Sequence, residues 1–111
     1  MKTLKQEKKD NVWTLRKILT RPNYAIIDFL LAKSPRATKE IYSALAKKFT
    51  RKTLIIALKE LSIDMNVIQP THIRTEKGYG FGYNLNPKAK AIVKTLQKFA
   101  KTFEGFIDEK K

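Results

Sequence analysis

The chain has 111 residues, 42% of them hydrophobic, which suits one domain with a modest core and is too apolar for a disordered segment. It has no cysteine and a single histidine, His72, so disulfides, thiolate metal sites, Cys nucleophiles and His-rich metal sites are excluded. Lys plus Arg number 24 against 10 Asp plus Glu, and a net charge of +14 disfavours a compact state unless a polyanion offsets it: nucleic acid first, an anionic membrane surface second.

Residues 1–10 are charged and lack the apolar core of a signal peptide, so they are expected to be a frayed tail. No stretch approaches the roughly 18 apolar residues that span a bilayer, and a cytoplasmic protein is expected. Val12, Trp13, Leu15, Ile18 and Leu19 predict a short first helix. Thr20-Arg21-Pro22 is a helix start, with Thr as cap and Pro in the first turn. Ile26, Ile27, Leu30 and Leu31 form one apolar stripe, and Ser34-Pro35 ends the helix because the residue before proline avoids helical geometry. A helix from about Thr38 has Ile41, Leu45 and Ala46 inward and Lys39, Ser43, Lys47 and Lys48 outward. Thr50 caps the next helix, whose buried stripe is Leu54, Ala57, Leu58 and Leu61 and which Asn66 closes in left-handed geometry.

Residues 67–75 are rich in β-branched side chains and predict a strand, with Pro70 placing it at an edge or making it irregular. Glu76-Lys77-Gly78 is turn chemistry. Tyr79, Phe81, Tyr83 and Leu85 then alternate with Gly80, Gly82 and Asn84, a strand with one aromatic face and one nearly bare. That aromatic face is expected to cover the helical core rather than to stack on bases. Asn86-Pro87 opens a last helix to about residue 107, whose Ala89, Ile92, Leu96, Phe99, Phe103 and Phe106 step as a heptad seam. Residues 20–85 are expected to complete a core alone, so a seam with three Phe calls for a second copy of the chain. Glu40, Glu60, Asp28 and Asp64 are scattered acids, expected as ion-pair partners of nearby lysines.

Residues 38–68 combine Thr38, the pair Leu45-Ala46, the run Thr50-Arg51-Lys52-Thr53, and Leu54, Leu58 and Leu61. Their order resembles the helix-turn-helix of the MarR, ArsR and Lrs-like winged-helix regulators. Asn66-Val67-Ile68 stands where those families commonly have Gly-Leu-Ile/Val. Gly78-Tyr79-Gly80-Phe81-Gly82-Tyr83 looks like the returning wing strand of archaeal members, and the proline-started last helix like their dimerisation helix. The resemblance covers about residues 20–107. It implies an α+β fold: a winged helix-turn-helix, with a three-helix core plus β-hairpin wing in residues 20–85. A charged tail and short helix in residues 1–19 precede it, and a long C-terminal dimerisation helix in residues 86–111 follows.

The resemblance makes the helix after Thr50 the recognition helix, which presents donors from its first turns and points its N-terminal amides at phosphate. Arg51 and Lys52 are then the base-proximal candidates, with Thr50, Thr53 and Ile55 on the same surface. Lys47 and Lys48 in the preceding turn, Arg36 and Lys39 before it, and Arg74 and Lys77 at the wing are candidates for phosphate. The sequence departs from the pattern in having Ile55 and Ile56 where polar base-reading residues are usual, and no glycine in the turn. Dimerisation is assigned to Ile92, Leu96, Phe99, Phe103 and Phe106.

The function expected is a homodimeric, sequence-specific regulator of transcription on double-stranded DNA, in an archaeal-type cytoplasm and associated with the nucleoid. The alternatives are an architectural nucleoid protein with little sequence preference, a protein-interaction winged helix, and an RNA binder. No Ser-His-Asp set, phosphate-cradling Gly loop or paired carboxylate site is present, so an enzyme is not expected, nor a cofactor, a metal or a membrane partner.

Overall fold

The computed structural model describes residues 11–109. The charged stretch 1–10, expected as a frayed tail, lies outside the described residues. Within them the architecture is α+β: five α-helices and one three-stranded antiparallel sheet. The first two helices are α1 (Asn11–Leu19) and α2 (Arg21–Ala32), separated by Thr20 in extended geometry. Thr20 occupies the cap position foreseen for it, but its hydroxyl donates back to the Arg16 carbonyl at 2.8 Å instead of capping α2. The helix ends at Ala32, ahead of Ser34-Pro35 as expected, with Lys33 already in extended geometry.

A two-residue strand, β1 (Arg36–Ala37), leads directly into α3 (Thr38–Leu45). The sequence did not announce β1, because two residues carry no period. It pairs with the second hairpin strand, Arg36 opposite Tyr83 and Ala37 opposite Gly82. A turn over residues 46–50 joins α3 to α4 (Arg51–Lys59), and α4 runs on into a wider π-type turn (Glu60–Asp64). There the Met65 amide donates to the Glu60 carbonyl at 3.1 Å, one residue beyond α-helical reach. Asn66, at φ 53°, closes the element in the expected left-handed conformation.

The hairpin is β2 (Ile68–Thr75) and β3 (Gly78–Leu85), and the sheet order β1-β3-β2 leaves Pro70 on an edge strand. Helix α5 (Pro87–Glu109) follows at once. Asn86 caps it: its carboxamide oxygen accepts from the Lys88 amide at 3.1 Å, while its NH2 donates to the Asn66 carbonyl at 3.0 Å.

The core collects one stripe from each element: Ile26, Ile27 and Leu30 of α2, Ile41 and Leu45 of α3, and Leu54, Ala57 and Leu58 of α4. Leu61, Val67, Ile68, Leu85 and Val93 complete it. The stripes of α2 and α4 fall where periodicity placed them, but Ala46 is exposed, because the turn starts there and carries it off the inner face. Val93 corrects the expectation that residues 20–85 close the core alone. It is 2% exposed, and α5 is further tied down by the Gln97 NH2 donating to the Tyr24 hydroxyl at 2.9 Å. One polar node joins α1, α2 and the π-type turn. The buried Asn23 donates to the Lys17 carbonyl at 2.8 Å and to Glu60 Oε1 at 2.9 Å, and Lys17 pairs with Glu60 Oε2 at 2.9 Å.

Candidate nucleic-acid interface

The surface begins with how α3 and α4 are held. The Glu40 carboxylate accepts from the Ala37 amide at 2.9 Å, half of a capping box whose usual Ser or Thr is replaced by Ala. Thr38 donates its hydroxyl to the Phe81 carbonyl at 3.3 Å, fastening the start of α3 to the hairpin. At the far end of α3 the Lys48 and Phe49 amides both donate to the Leu45 carbonyl, at 3.1 and 3.0 Å, which turns the chain without a glycine. Phe49 packs its ring against the core and fixes the turn from beneath. Thr50 then caps α4: its hydroxyl oxygen accepts from the Thr53 amide at 3.2 Å and its O–H donates to the Thr53 hydroxyl at 2.9 Å. Thr50 and Thr53, both foreseen as contact residues, are thereby engaged with one another.

The outward face of α4 follows from burying Leu54, Ala57 and Leu58. It presents Arg51 and Lys52 in the first turn, then Ile55, Ile56 and Lys59. The Arg51 guanidinium lies 4.7 Å from the Tyr42 ring centre of α3. At an exposed site such a contact is worth about 0.5–1 kcal/mol, enough to orient the head without withdrawing its donors from solvent. Ile55 and Ile56 are 39% and 56% exposed, so α4 carries a second, outward apolar pair.

A groove of about 910 Å³ runs between α3 and the hairpin, and four of the predicted phosphate residues line it together: Arg36, Lys39, Arg74 and Lys77. Glu40 and Glu76 share the groove and temper its charge. Arg36 is less available than its position in the chain implied. Its guanidinium lies 4.4 Å from the Phe29 ring centre, and its buried Nε is 4.0 Å from the Glu40 carboxylate and has no hydrogen-bond partner. Lys47 is exposed on the turn. Lys48 lines a different cleft, of about 830 Å³, between α2, the turn and α5, and so does not join the groove.

The hairpin corrects one expectation. Its aromatic face covers the core only at the base, where Leu85 is buried and Tyr83 half-buried. Burial, helped by the nearby Tyr42, raises the Tyr83 hydroxyl above its ordinary pKa of 10.0. Towards the tip, Tyr79 and Phe81 are 77% and 64% exposed. The opposite face explains one of its glycines: a Cβ on Gly82 would run into the Arg36 carbonyl oxygen and the Ile73 side chain.

The seam assigned to dimerisation splits in two. Ala89 and Leu96 are half-buried against the body, whereas Ile92, Phe99, Phe103 and Phe106 are exposed. Phe99 and Phe103 meet edge to face at 4.9 Å between ring centres, and Phe103 and Phe106 at 5.9 Å.

Among the described residues no group of His, Cys, Asp and Glu is placed to hold a metal ion, and no helix is long and apolar enough to cross a membrane. No protein-family model, curated protein or solved structure matches the chain.

Proposed function

We propose that the chain is a winged-helix regulator of transcription that binds double-stranded DNA sequence-specifically as a homodimer. The order α2, β1, α3, α4, β2, β3 fits the layout that the sequence resemblance implies, with α4 as recognition helix and the hairpin as wing. The observation that carries the reading is the first turn of α4. Thr50 caps it and Arg51 and Lys52 project from it, while the separate groove between α3 and the hairpin gathers Lys39, Arg74, Lys77 and the partly engaged Arg36. A helix entering the major groove reads base edges from these first positions, while flanking cations hold phosphates. The +14 charge supplies the polyanion attraction.

The exposed Phe ridge of α5 supports self-association. Two copies joined there are expected to set their recognition helices about 34 Å apart, one turn of duplex. Ile55 and Ile56 favour a second reading, an architectural protein: an isoleucine reads no base edge except by contact with a thymine methyl.

The test is titration of the chain's own upstream DNA and of random-sequence duplex at two salt concentrations. Tighter binding to the upstream DNA by about a hundredfold at the higher salt, lost with Arg51→Ala plus Lys52→Ala, supports regulation. Equal binding to both duplexes that fades with salt selects the architectural reading, and binding to neither selects a protein partner for the same surface.

A further inference from the structure

The hairpin carries a feature that duplex binding leaves unused. Its register sets Pro70 opposite Tyr83, His72 opposite Phe81 and Arg74 opposite Tyr79. Because strand side chains alternate with period two, these six share one face. At the base that face continues into the buried pair Ile68 and Leu85. Farther out it opens to solvent at Tyr79 and Phe81, while Ile73 on the other face lines the groove with α3, whose edge Arg74 and Lys77 at the tip also reach. The hairpin is thus held from its glycine face and presents its aromatic one.

The exposed rings are arranged, not scattered. His72 stacks on Phe81 with 5.4 Å between centres and 8° between planes, which steadies the Phe81 ring. Arg74 is directly across from Tyr79, and Lys77 follows in the turn. Residues two apart on a strand are separated by roughly 7 Å. That is about two carbon–carbon contacts of 3.5 Å, the spacing that one flat base needs between two rings. Duplex DNA offers such a surface no free π-face, because its bases already stack on one another. An unpaired base does, and its phosphate falls to a neighbouring cation.

We propose that the outer aromatic face of the hairpin, Tyr79 and Phe81 with Arg74 and Lys77 beside them, binds single-stranded DNA by stacking unpaired bases. Charge complementarity selects a nucleic acid, since the hairpin tip sets two cations beside the rings in a chain of net charge +14. The choice of DNA rests on the reading given under Proposed function: a strand unpaired beside a duplex held on α4 reaches the hairpin.

The test is fluorescence anisotropy on the full chain with labelled oligothymidylate, labelled oligouridylate and random-sequence duplex. Oligothymidylate binds, and no more weakly than oligouridylate. Tyr79→Ala and Phe81→Ala each weaken it about tenfold, with duplex affinity held within about twofold. Tyr79→Phe and Phe81→Tyr keep the affinity, which separates stacking from a folding defect. Arg51→Ala plus Lys52→Ala weakens duplex binding more than oligothymidylate binding. The proposal is overturned if the Tyr79→Ala plus Phe81→Ala chain binds oligothymidylate as the parent does, if the parent does not bind it, or if oligouridylate binds more tightly. Loss of the duplex reading alone leaves a distinct signature: no duplex binding, with oligothymidylate binding that still requires both rings.

Discussion

Helices α4 and α5 have the same problem and answer it differently. Each turns apolar side chains into the core, Leu54, Ala57 and Leu58 on α4 and Val93 with the half-buried Ala89 on α5, and each keeps a second apolar stripe outside. On α4 the outer stripe is two isoleucines set among Arg51, Lys52 and Lys59. On α5 it is a run of aromatic rings that touch one another edge to face. Isolated apolar side chains among cations are ordinary on a surface and compatible with a polyanion. A contiguous aromatic ridge is not ordinary, and marks a place where apolar surface meets apolar surface. Exposure alone does not define an interface; what surrounds the exposed residue decides which partner it fits.

The inner and outer faces of α4 differ most in what they contribute to stability. Leu58→Ala removes a side chain that is 3% exposed and is expected to cost about 2–5 kcal/mol, the usual range for a large-to-small change in a packed core. Ile56→Ala on the outer stripe is expected to cost about 0.5 kcal/mol or less. Chemical denaturation of both variants reads the contrast directly. A loss at Ile56 as large as that at Leu58 shows that the outer stripe is packed in solution, and the surface assigned to DNA is then covered.

The outer stripe of α5 is expected to respond in association rather than in folding. Phe103 lies at the centre of the ridge, between Phe99 and Phe106. A central aromatic of an interface is commonly worth about 2 kcal/mol or more, so Phe103→Ala is expected to weaken self-association about thirtyfold, at about 1.4 kcal/mol per factor of ten. Sedimentation equilibrium measures this, with Ile107→Ala, farther toward the helix end, as the milder comparison. Unchanged association in the Phe103 variant removes the ridge from the interface.

These contrasts also show what the sequence could and could not tell. Positions that alternate with a helix period and are bounded by cap residues were legible: Thr50, Asn66 and Asn86 act where their chemistry placed them. The period of the last helix was legible too, but not its rotation. Ile92 and Val93 are neighbours in the chain, and only the docked body decides that Val93 turns in and Ile92 out. Alternation in β3 likewise fixes which residues share a face but not how far the core reaches along it. The core ends at Tyr83, which leaves Tyr79 and Phe81 beyond it. The groove between α3 and the hairpin is a product of tertiary packing. Arg36, Lys39, Arg74 and Lys77 stand out by charge in the chain, but only the pairing of β1 with β3 brings them together.

The smallest expected effect concerns the node that fixes α4 from its far end. Burial would raise the Glu60 carboxyl, but hydrogen bonds from Asn23 and Lys17 and the Lys17 charge outweigh it and hold Glu60 below its ordinary 4.5. The folded chain therefore holds this proton less tightly than the unfolded chain. Between the two pKa values the unfolded state binds more protons, so stability rises with pH there. The contribution is complete above about pH 4.5 and is lost as the pH falls through the lower, folded value. Glu60→Gln is expected to cost about 1 kcal/mol or less at neutral pH, the range of a partly exposed ion pair. It also flattens the stability profile on the acid side. The cost stays small because Asn23 can still donate to the carboxamide oxygen of the introduced glutamine, so the buried amide is not orphaned. Denaturation midpoints at neutral pH and below pH 4.5 check both parts. Parallel acid profiles in the parent and the variant would show that Lys17 and Asn23 do not hold Glu60 in solution, and that the end of α4 is fixed by Leu61 and its apolar neighbours alone.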